Sequence, residues 1–451
     1  MSVRVTNAGR AVARSGLLPS TAHELLSYLS SKAAELSALM ISCANSELED
    51  CDDFAFVLVH AAYSSTEYSR SQIRRRFLPY QLLTAEMTGP QIRLRNLLFQ
   101  PHQSDAVNAA ILARRWMSGV PMRQLESALD VRSGVLSAMF ADAANILRGV
   151  ADILYAATSP QSVNELPTGV PLSATPTLNT IIASIRRIAS RLDAGLPDDV
   201  LWMRSLTLDG VPVLTRNEIM LLREAGMLSP TDLLDPGNFP KLLDAFGPRS
   251  NTSMASAQNV QQATRTWRLE ERDRLIESQR KRLPAECRDV LLRFYRTRET
   301  EFEGVLEEIF RCFGISIDAR DQPGTTSFPD FVVSPLGKQL AIECKSKVVG
   351  EAVTFNDATD VIRKAGVNGY GAAFKVTVCQ PYISPDVPRK LANCTDLCVV
   401  NADDIAEAFV QLKVGRITQQ DFTDWISRPG QASREHLTQS SRPLIPATSA
   451  P

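Results

Sequence analysis

Residues 328–347 read FPDFVVSPLGKQLAIECKSK, and this stretch decides the fold of the C-terminal third. FPDFVV is a short apolar run, Pro335 and Gly337 are turn formers, and LAIECKSK reads as a second run returning antiparallel to the first. Side chains alternate faces along a strand, so Glu343 and Lys345 point the same way while Cys344 points into the opposite layer. Folding the hairpin back brings Asp330 towards Glu343, giving two carboxylates and an ammonium on one surface. Two carboxylates suit a hard divalent cation such as Mg²⁺, with Mn²⁺ as its substitute, because such ions take oxygen ligands and keep waters that a phosphate can replace. The ion would activate water and neutralise phosphate charge, with Lys345 orienting the water or stabilising the oxyanion.

The flanking sequence extends the pattern. Upstream, EFEGVLEEIFRCFG (301–314) reads as an amphipathic helix with Phe302, Val305, Ile309 and Phe313 on its apolar stripe and Glu303 on the margin, within reach of the ion; Glu307 and Glu308 read as solvated. Strands are expected near ISIDARD, FPDFVVS, QLAIECKSK, AAFKVTVCQ and DLCVVN, with helices at NDATDVIRKAG and ADDIAEAFVQLKVG. Lys347, Arg363, Lys364 and Lys375 follow the site and are candidate phosphate contacts.

Glu303, Pro329-Asp330 and Glu343-Cys344-Lys345 resemble the PD-(D/E)xK signature of restriction-endonuclease-like nucleases, and the order of helix, hairpin, crossover helix and strand is similar. The resemblance spans about 130 residues. It implies Asp330 and Glu343 as metal ligands, the backbone carbonyl of Cys344 added to them, Lys345 as water positioner and Glu303 as a further acidic group. The expected nuclease domain is 295–430, and the Ser-, Pro- and Thr-rich tail 431–451 is expected to be disordered.

The remaining two-thirds read as helix. TAHELLSYLSSKAAELSALMISCA, DAVNAAILARRWMSG and SGVLSAMFADAANILRGVADILYAA carry apolar residues at three-to-four spacing, a bundle over 21–160. A Pro-, Ser- and Thr-rich stretch (161–178) opens a second helical unit over 161–248, and 249–294 reads as a linker followed by a charged helix. Residues 261–300 hold 11 Lys/Arg against 7 Asp/Glu, suiting either a solvated connector or a phosphate-contacting helix. VTNAGRAVARS, within 1–20, is similar to the closing turn of a winged-helix domain. The bundle resembles the ratchet domain of Ski-type superfamily-two DNA helicases, and SRLDAGLPDDVLWMRSLTLDGVPVLTRNEIMLLREAG resembles the helix-hairpin-helix that follows it. That likeness implies nucleic-acid contacts at Arg148 on the ratchet helix and at the backbone of Gly210, although Pro212 removes one amide where a second glycine is expected. Arg74-Arg75-Arg76, Arg114-Arg115 beside Trp116, and Arg186-Arg187 are further basic spots.

Composition bounds the function classes. With 44% hydrophobic and 22% charged residues the chain is ordinary globular protein, and at 451 residues it is expected to form two or three domains. No apolar run reaches membrane-spanning length and no secretory signal is read, so a cytoplasmic location is expected. The 8 cysteines lack zinc-ribbon spacing and read as reduced thiols. A net charge of −1 requires any nucleic-acid contact to be local. No GxxxxGK[ST] phosphate loop occurs, so an ATPase motor is expected on another polypeptide. The expectation is therefore a multidomain chain: an N-terminal all-α bundle with a helix-hairpin-helix region, then a C-terminal α/β restriction-endonuclease-like domain around a mixed sheet. It would be a Mg²⁺-dependent nuclease acting on DNA, with RNA left open, working with a separate helicase in genome defence or repair and dimeric if it cuts both strands. The competing expectation is a non-catalytic adaptor that docks on a helicase motor.

Overall fold

The computed structural model describes the chain apart from residues 1–4, 45–51, 70–88, 90–91, 130, 159–169, 248–249, 322–326, 349–350, 385, 392–393, 435–436 and 438–451. It is mostly helical, with a mixed six-stranded sheet in the C-terminal half. No described helix is long and apolar enough to cross a membrane. The chain divides into two compact units, Met1–Leu206 with Gly210–Leu228, and Thr207–Asp209 with Ser229–Pro451.

The first unit is built around two long helices whose apolar faces pack together. The Ser133–Thr158 and Thr175–Ala194 helices place Leu136, Phe140, Leu147 and Leu154, and Leu178, Ile181, Ile185 and Leu192, in one buried core. The expected break at residue 160 is therefore not a domain boundary, because the apolar face of the second helix packs into the same core as the Ser133–Thr158 helix and the helices before it. The Asp53–Ser64 helix is buried at every residue. His60 inside it is pushed down to about 4 by burial and is neutral at physiological pH. The segment resembling a winged-helix remnant is a helix, Asn7–Ser15, capped by Thr6 and closed by Gly16 at φ 74.

One buried ion pair ties the bundle's interior. Arg191, 8% exposed, donates to both Asp52 oxygens at 2.7 and 2.6 Å. Removing the carboxylate alone leaves a buried guanidinium unpaired, so Asp52→Ala is expected to cost about 3–5 kcal/mol in urea denaturation. An unchanged midpoint would show the pair to be solvated. Trp116, expected beside a basic nucleic-acid contact, instead packs inward. Its indole N–H donates to the Leu192 carbonyl at 2.7 Å, its ring stacks on Phe140 at 5.5 Å, and Arg216 lies over it at 4.0 Å. Gly195, at φ 63, is the close-approach point, since a Cβ there would meet the indole at 2.2 Å.

The second unit holds the sheet, ordered β10-β9-β7-β5-β4-β3. Its strands are β3 (Ile317–Arg320), β4 (Phe331–Val333), β5 (Leu340–Ser346), β7 (Phe374–Gln380), β9 (Leu397–Asn401) and β10 (Gly430–Ala432). Two-residue strands β1 (Thr207–Leu208) and β2 (Val211–Pro212) precede them, and β6 (Ala352–Val353) pairs with β8 (Tyr382–Ile383). β3, β4 and β5 are antiparallel, and β5, β7, β9 and β10 run parallel. The near-continuous apolar runs of β7 and β9 suit strands covered on both faces. On one face Ile342, Val376, Val378 and Val400 meet the Arg288–Arg296, Glu299–Cys312, Ala402–Lys413 and Gln419–Ile426 helices; on the other, Ala341, Cys379 and Val399 meet the Phe355–Val367 helix through Ala358, Val361 and Ala365. Burial of each large apolar side chain contributes roughly 1.5–3 kcal/mol.

Three expectations need correction here. The 251–282 segment is one helix, Asn251–Arg282, with no linker within it; Arg274, Arg280 and Lys281 stay exposed, but its last turn is docked. Arg282 donates to both oxygens of the buried Glu407 at 2.8 and 2.6 Å, and Gln279, also buried, links Glu407 to the Tyr295 hydroxyl. The boundary between units falls near Leu228, not 248. The tail begins in order: Gly430–Ala432 pairs with Cys398–Val400 and Leu437 is buried, whereas 438–451 lies outside the described residues. A three-residue strand carries too little pattern to be read as one.

Candidate active site

The register of the hairpin fixes the centre of the site. Phe331 faces Ile342 across the β4–β5 ladder, so one step outward Asp330 stands opposite Glu343. β5 then turns alternate residues: Leu340, Ile342 and Cys344 lie towards the larger core, and Glu343 and Lys345 lie on the face covered by Phe355–Val367. The hairpin turn is tighter than a simple loop, with Leu336 at φ 53 and Gly337 at φ 82.

The three expected groups converge. Lys345 Nζ donates to Glu343 Oε1 at 2.7 Å and lies 3.2 Å from Asp360 Oδ2. The Cys344 amide donates to Asp330 Oδ2 at 2.6 Å. Glu343 is 2% exposed and Asp330 8%, so two carboxylates share a poorly solvated corner. Burial first, then the charges of Glu343 and Glu303, push Asp330 up to about 7 against the opposing Cys344 amide. Burial works hardest on Lys345 to discharge it, but Glu343 and Asp360 outweigh burial and raise its pKa, so the ammonium persists at neutral pH. Glu303 is half-buried, and its carboxyl is raised by desolvation and by Glu343 despite Arg320.

The lysines expected to touch phosphate behave differently from one another. Lys364 Nζ, 12% exposed, lies 2.6 Å from Glu343 Oε1 and 3.9 Å from Asp330 Oδ1, inside the site. Lys347 pairs with Asp357 at 3.2 Å at the site's edge. Lys375 is a correction: 4% exposed, it donates to the Gly371 carbonyl and pairs with Asp396 at the start of β7, the end of the strand away from Lys345, and keeps no face for phosphate. In the first unit Arg148 is taken up by Asp193 and Asn145. Gly210, φ 77, follows Asp209, φ 51, in a tight turn between two-residue strands. Two consecutive positive φ values are the type I′ pattern that Asp-Gly favours, so the turn accounts for the left-handed backbone at the glycine. Glu307, read as solvated, is a further correction: its carboxylate, 15% exposed, bridges Arg311 and Arg320. Arg74–Arg76 lie outside the described residues.

Asp360 is the group that the sequence reading missed. It was legible: in NDATDVIRKAG, Asp357, Asp360 and Lys364 recur at three-to-four spacing and so share one helix face. That face meets β5, where Asp357 takes Lys347, Asp360 takes Lys345 and Lys364 takes Glu343.

The donor set fits a divalent cation in chemistry. Glu343 Oε2 is buried without a hydrogen-bond partner, and an unpaired carboxylate oxygen in a desolvated corner is costly unless a cation takes it. Asp330 offers a second hard oxygen. Among the described residues no three His, Cys, Asp or Glu side chains form a ready cage, so the ion would hold two carboxylates and complete its shell with backbone, water or phosphate oxygens. Lys364 competes with it for Glu343, and Lys364→Met is therefore expected to tighten Mn²⁺ binding at least tenfold by calorimetry, since a unit-charge repulsion at about 4 Å is worth about 1 kcal/mol at the dielectric of water and is larger for a divalent ion in a partly buried site. Weaker binding in that variant would mean Lys364 helps to hold the site open. No model of a known protein family matches the chain, and no curated protein matches it.

Proposed function

We propose that the second unit hydrolyses phosphodiester bonds of DNA with Mg²⁺, through Asp330, Glu343 and Lys345. The observation that carries this reading is the unpartnered, buried Glu343 Oε2 beside Asp330, with the Lys345 ammonium on the same strand face. The sheet order, with an antiparallel β3-β4-β5 edge continued by parallel β7 after a crossover helix, agrees with the restriction-endonuclease-like resemblance. A bound divalent ion would supply Lewis-acid neutralisation of the phosphate and a water of lowered pKa. Asp330 and Glu343 would hold it, the latter through its free oxygen. Lys345, kept protonated by Glu343 and Asp360, offers N–H donors to a phosphate oxygen or to the attacking water. The Cys344 amide fixes Asp330 so that one oxygen turns towards the site. Glu303, raised by its surroundings, is a proton acceptor at the margin.

The helical first unit is proposed as a guide for nucleic acid that works with a separate ATPase motor, in genome defence or repair. Two copies would be needed for a symmetric double-strand cut. One observation favours a second reading, the non-catalytic adaptor: Lys364 already supplies positive charge between the two carboxylates. Incubation of the full chain with supercoiled, linear and single-stranded DNA, with Mg²⁺ or Mn²⁺, separates them. The nuclease reading requires metal-dependent cleavage of at least one substrate; intact DNA on all three favours the adaptor.

A further inference from the structure

A cavity of about 620 Å³ lies within the second unit between the Asn251–Arg282 helix and the β6–β8 ladder, away from the carboxylate pair. Its walls include Arg265, Arg268, Thr266, Thr354, Tyr382 and Ser384. The Arg268 guanidinium stacks 3.6 Å from the Tyr382 ring centre, and burial lowers its pKa, so this cation is held partly desolvated. The Tyr382 hydroxyl is buried with no hydrogen-bond partner. Two acids also line the cavity: Asp235 accepts from the Gly237 amide, and Asp386 takes Lys390 through Oδ2 while its buried Oδ1 has no hydrogen-bond partner and can accept from a sugar hydroxyl or a base amino group. What remains is a planar aromatic–guanidinium platform, an exposed arginine, several hydroxyls and an unsatisfied phenol. These are the groups that stack a base, neutralise a phosphate and hydrogen-bond a sugar.

We propose that this cavity holds one nucleotide of the strand being cut, a claim that rests on the DNA-cutting reading above. The Phe355–Val367 helix connects the two places. Thr354, its N-cap, is in the cavity wall, and Asp357, Asp360 and Lys364 follow along the same face to Lys347, Lys345 and Glu343. From Thr354 to Lys364 is ten residues, about 15 Å of helix. A stacked strand rises about 3.4 Å per nucleotide, so the cavity sits about four nucleotides from the phosphate at the carboxylates. The β8 turn places Tyr382 just past Gln380, at the carboxyl end of β7, the same end that carries Lys345 on β5.

Binding without metal tests the cavity independently of cutting. Anisotropy of a labelled single-stranded dodecanucleotide in EDTA is measured for the full chain, Arg265→Glu, Tyr382→Phe and Tyr382→Ala, with circular dichroism to show that each folds. Tyr382→Ala is expected to weaken binding roughly 5- to 150-fold, as loss of a base stack does. Arg265→Glu is expected to weaken it about tenfold and to flatten its salt dependence, and Tyr382→Phe falls between these and the parent. Affinities within twofold of the parent in all three variants overturn the proposal. So does a rise in melting temperature with free deoxyadenosine monophosphate alone while strand binding ignores the variants, which would make the cavity a small-molecule site. Variant-sensitive binding in a protein that cuts nothing supports the cavity and overturns the cutting centre instead.

Discussion

Lys345→Ala and Asp330→Ala are each expected to slow metal-dependent DNA cleavage by about 10²–10³-fold, the usual loss when one charge-stabilising group leaves an active centre. Lys345 holds Glu343 Oε1 and is itself steadied by Asp360, so its removal deletes a protonated donor and leaves Glu343 Oε1 held by Lys364 alone. Asp330 sits across the ladder from Glu343, and its removal takes away half the hard-oxygen pair. DNA affinity in EDTA is expected to change far less than turnover, because neither residue lies in the cavity proposed to grip the strand. Gel assays of initial rate with the purified full chain measure the first quantity. Cleavage that persists at the parental rate in both variants would place the chemistry elsewhere.

The second large effect runs in the opposite direction. Asp330→Asn is expected to stabilise the metal-free protein by about 2–4 kcal/mol at pH 8, while slowing cleavage as Asp330→Ala does. The folded carboxyl titrates at about 7 against an ordinary value of 3.8, so the fold disfavours its charged form. At low pH, where both states are protonated, there is no penalty. As pH rises from about 4 the unfolded chain ionises first and native stability falls, until the folded carboxyl also ionises near 7 and the penalty is complete. Asparagine keeps an oxygen for the Cys344 amide and carries no charge. Urea denaturation at pH 8 and pH 5 reads this directly, and the advantage of the variant should shrink to less than half at pH 5. Mn²⁺ should raise the parent's stability at pH 8 and leave Asp330→Asn unmoved. A variant equally destabilised at both pH values would mean that Asp330 is held by hydrogen bonding and not opposed by like charge.

The hairpin of the candidate site was legible because its pattern is local. Strand alternation put Glu343 and Lys345 on one face, and the turn residues Pro335 and Gly337 set the return of the chain, so Asp330 meets Glu343 by register alone. Phe302, Val305, Ile309 and Phe313 are buried for the same kind of reason, one helix face with one destination. What escaped depends on distant partners. Lys375 resembles any strand-start lysine until Asp396 and Gly371 are brought to it. The Asn251–Arg282 helix is uncharged as far as Thr264 and densely charged beyond it, and only contacts far along the chain, to Glu407 and Asp403, show where its end docks. The helical boundary expected at 160 failed because a linker-like composition does not reveal that the next helix returns to the same core. At Gly210 the Asp-Gly pair accounts for the left-handed backbone of the turn.

The most direct measurement is the anomalous scattering of Mn²⁺ in crystals of the full chain soaked near pH 8, above the value of about 7 to which the Asp330 carboxyl is raised. One peak between these two carboxylates, absent from Glu343→Gln crystals, is the predicted result. A map with no peak there, and with Lys364 still bound to Glu343, would contradict the account at its centre.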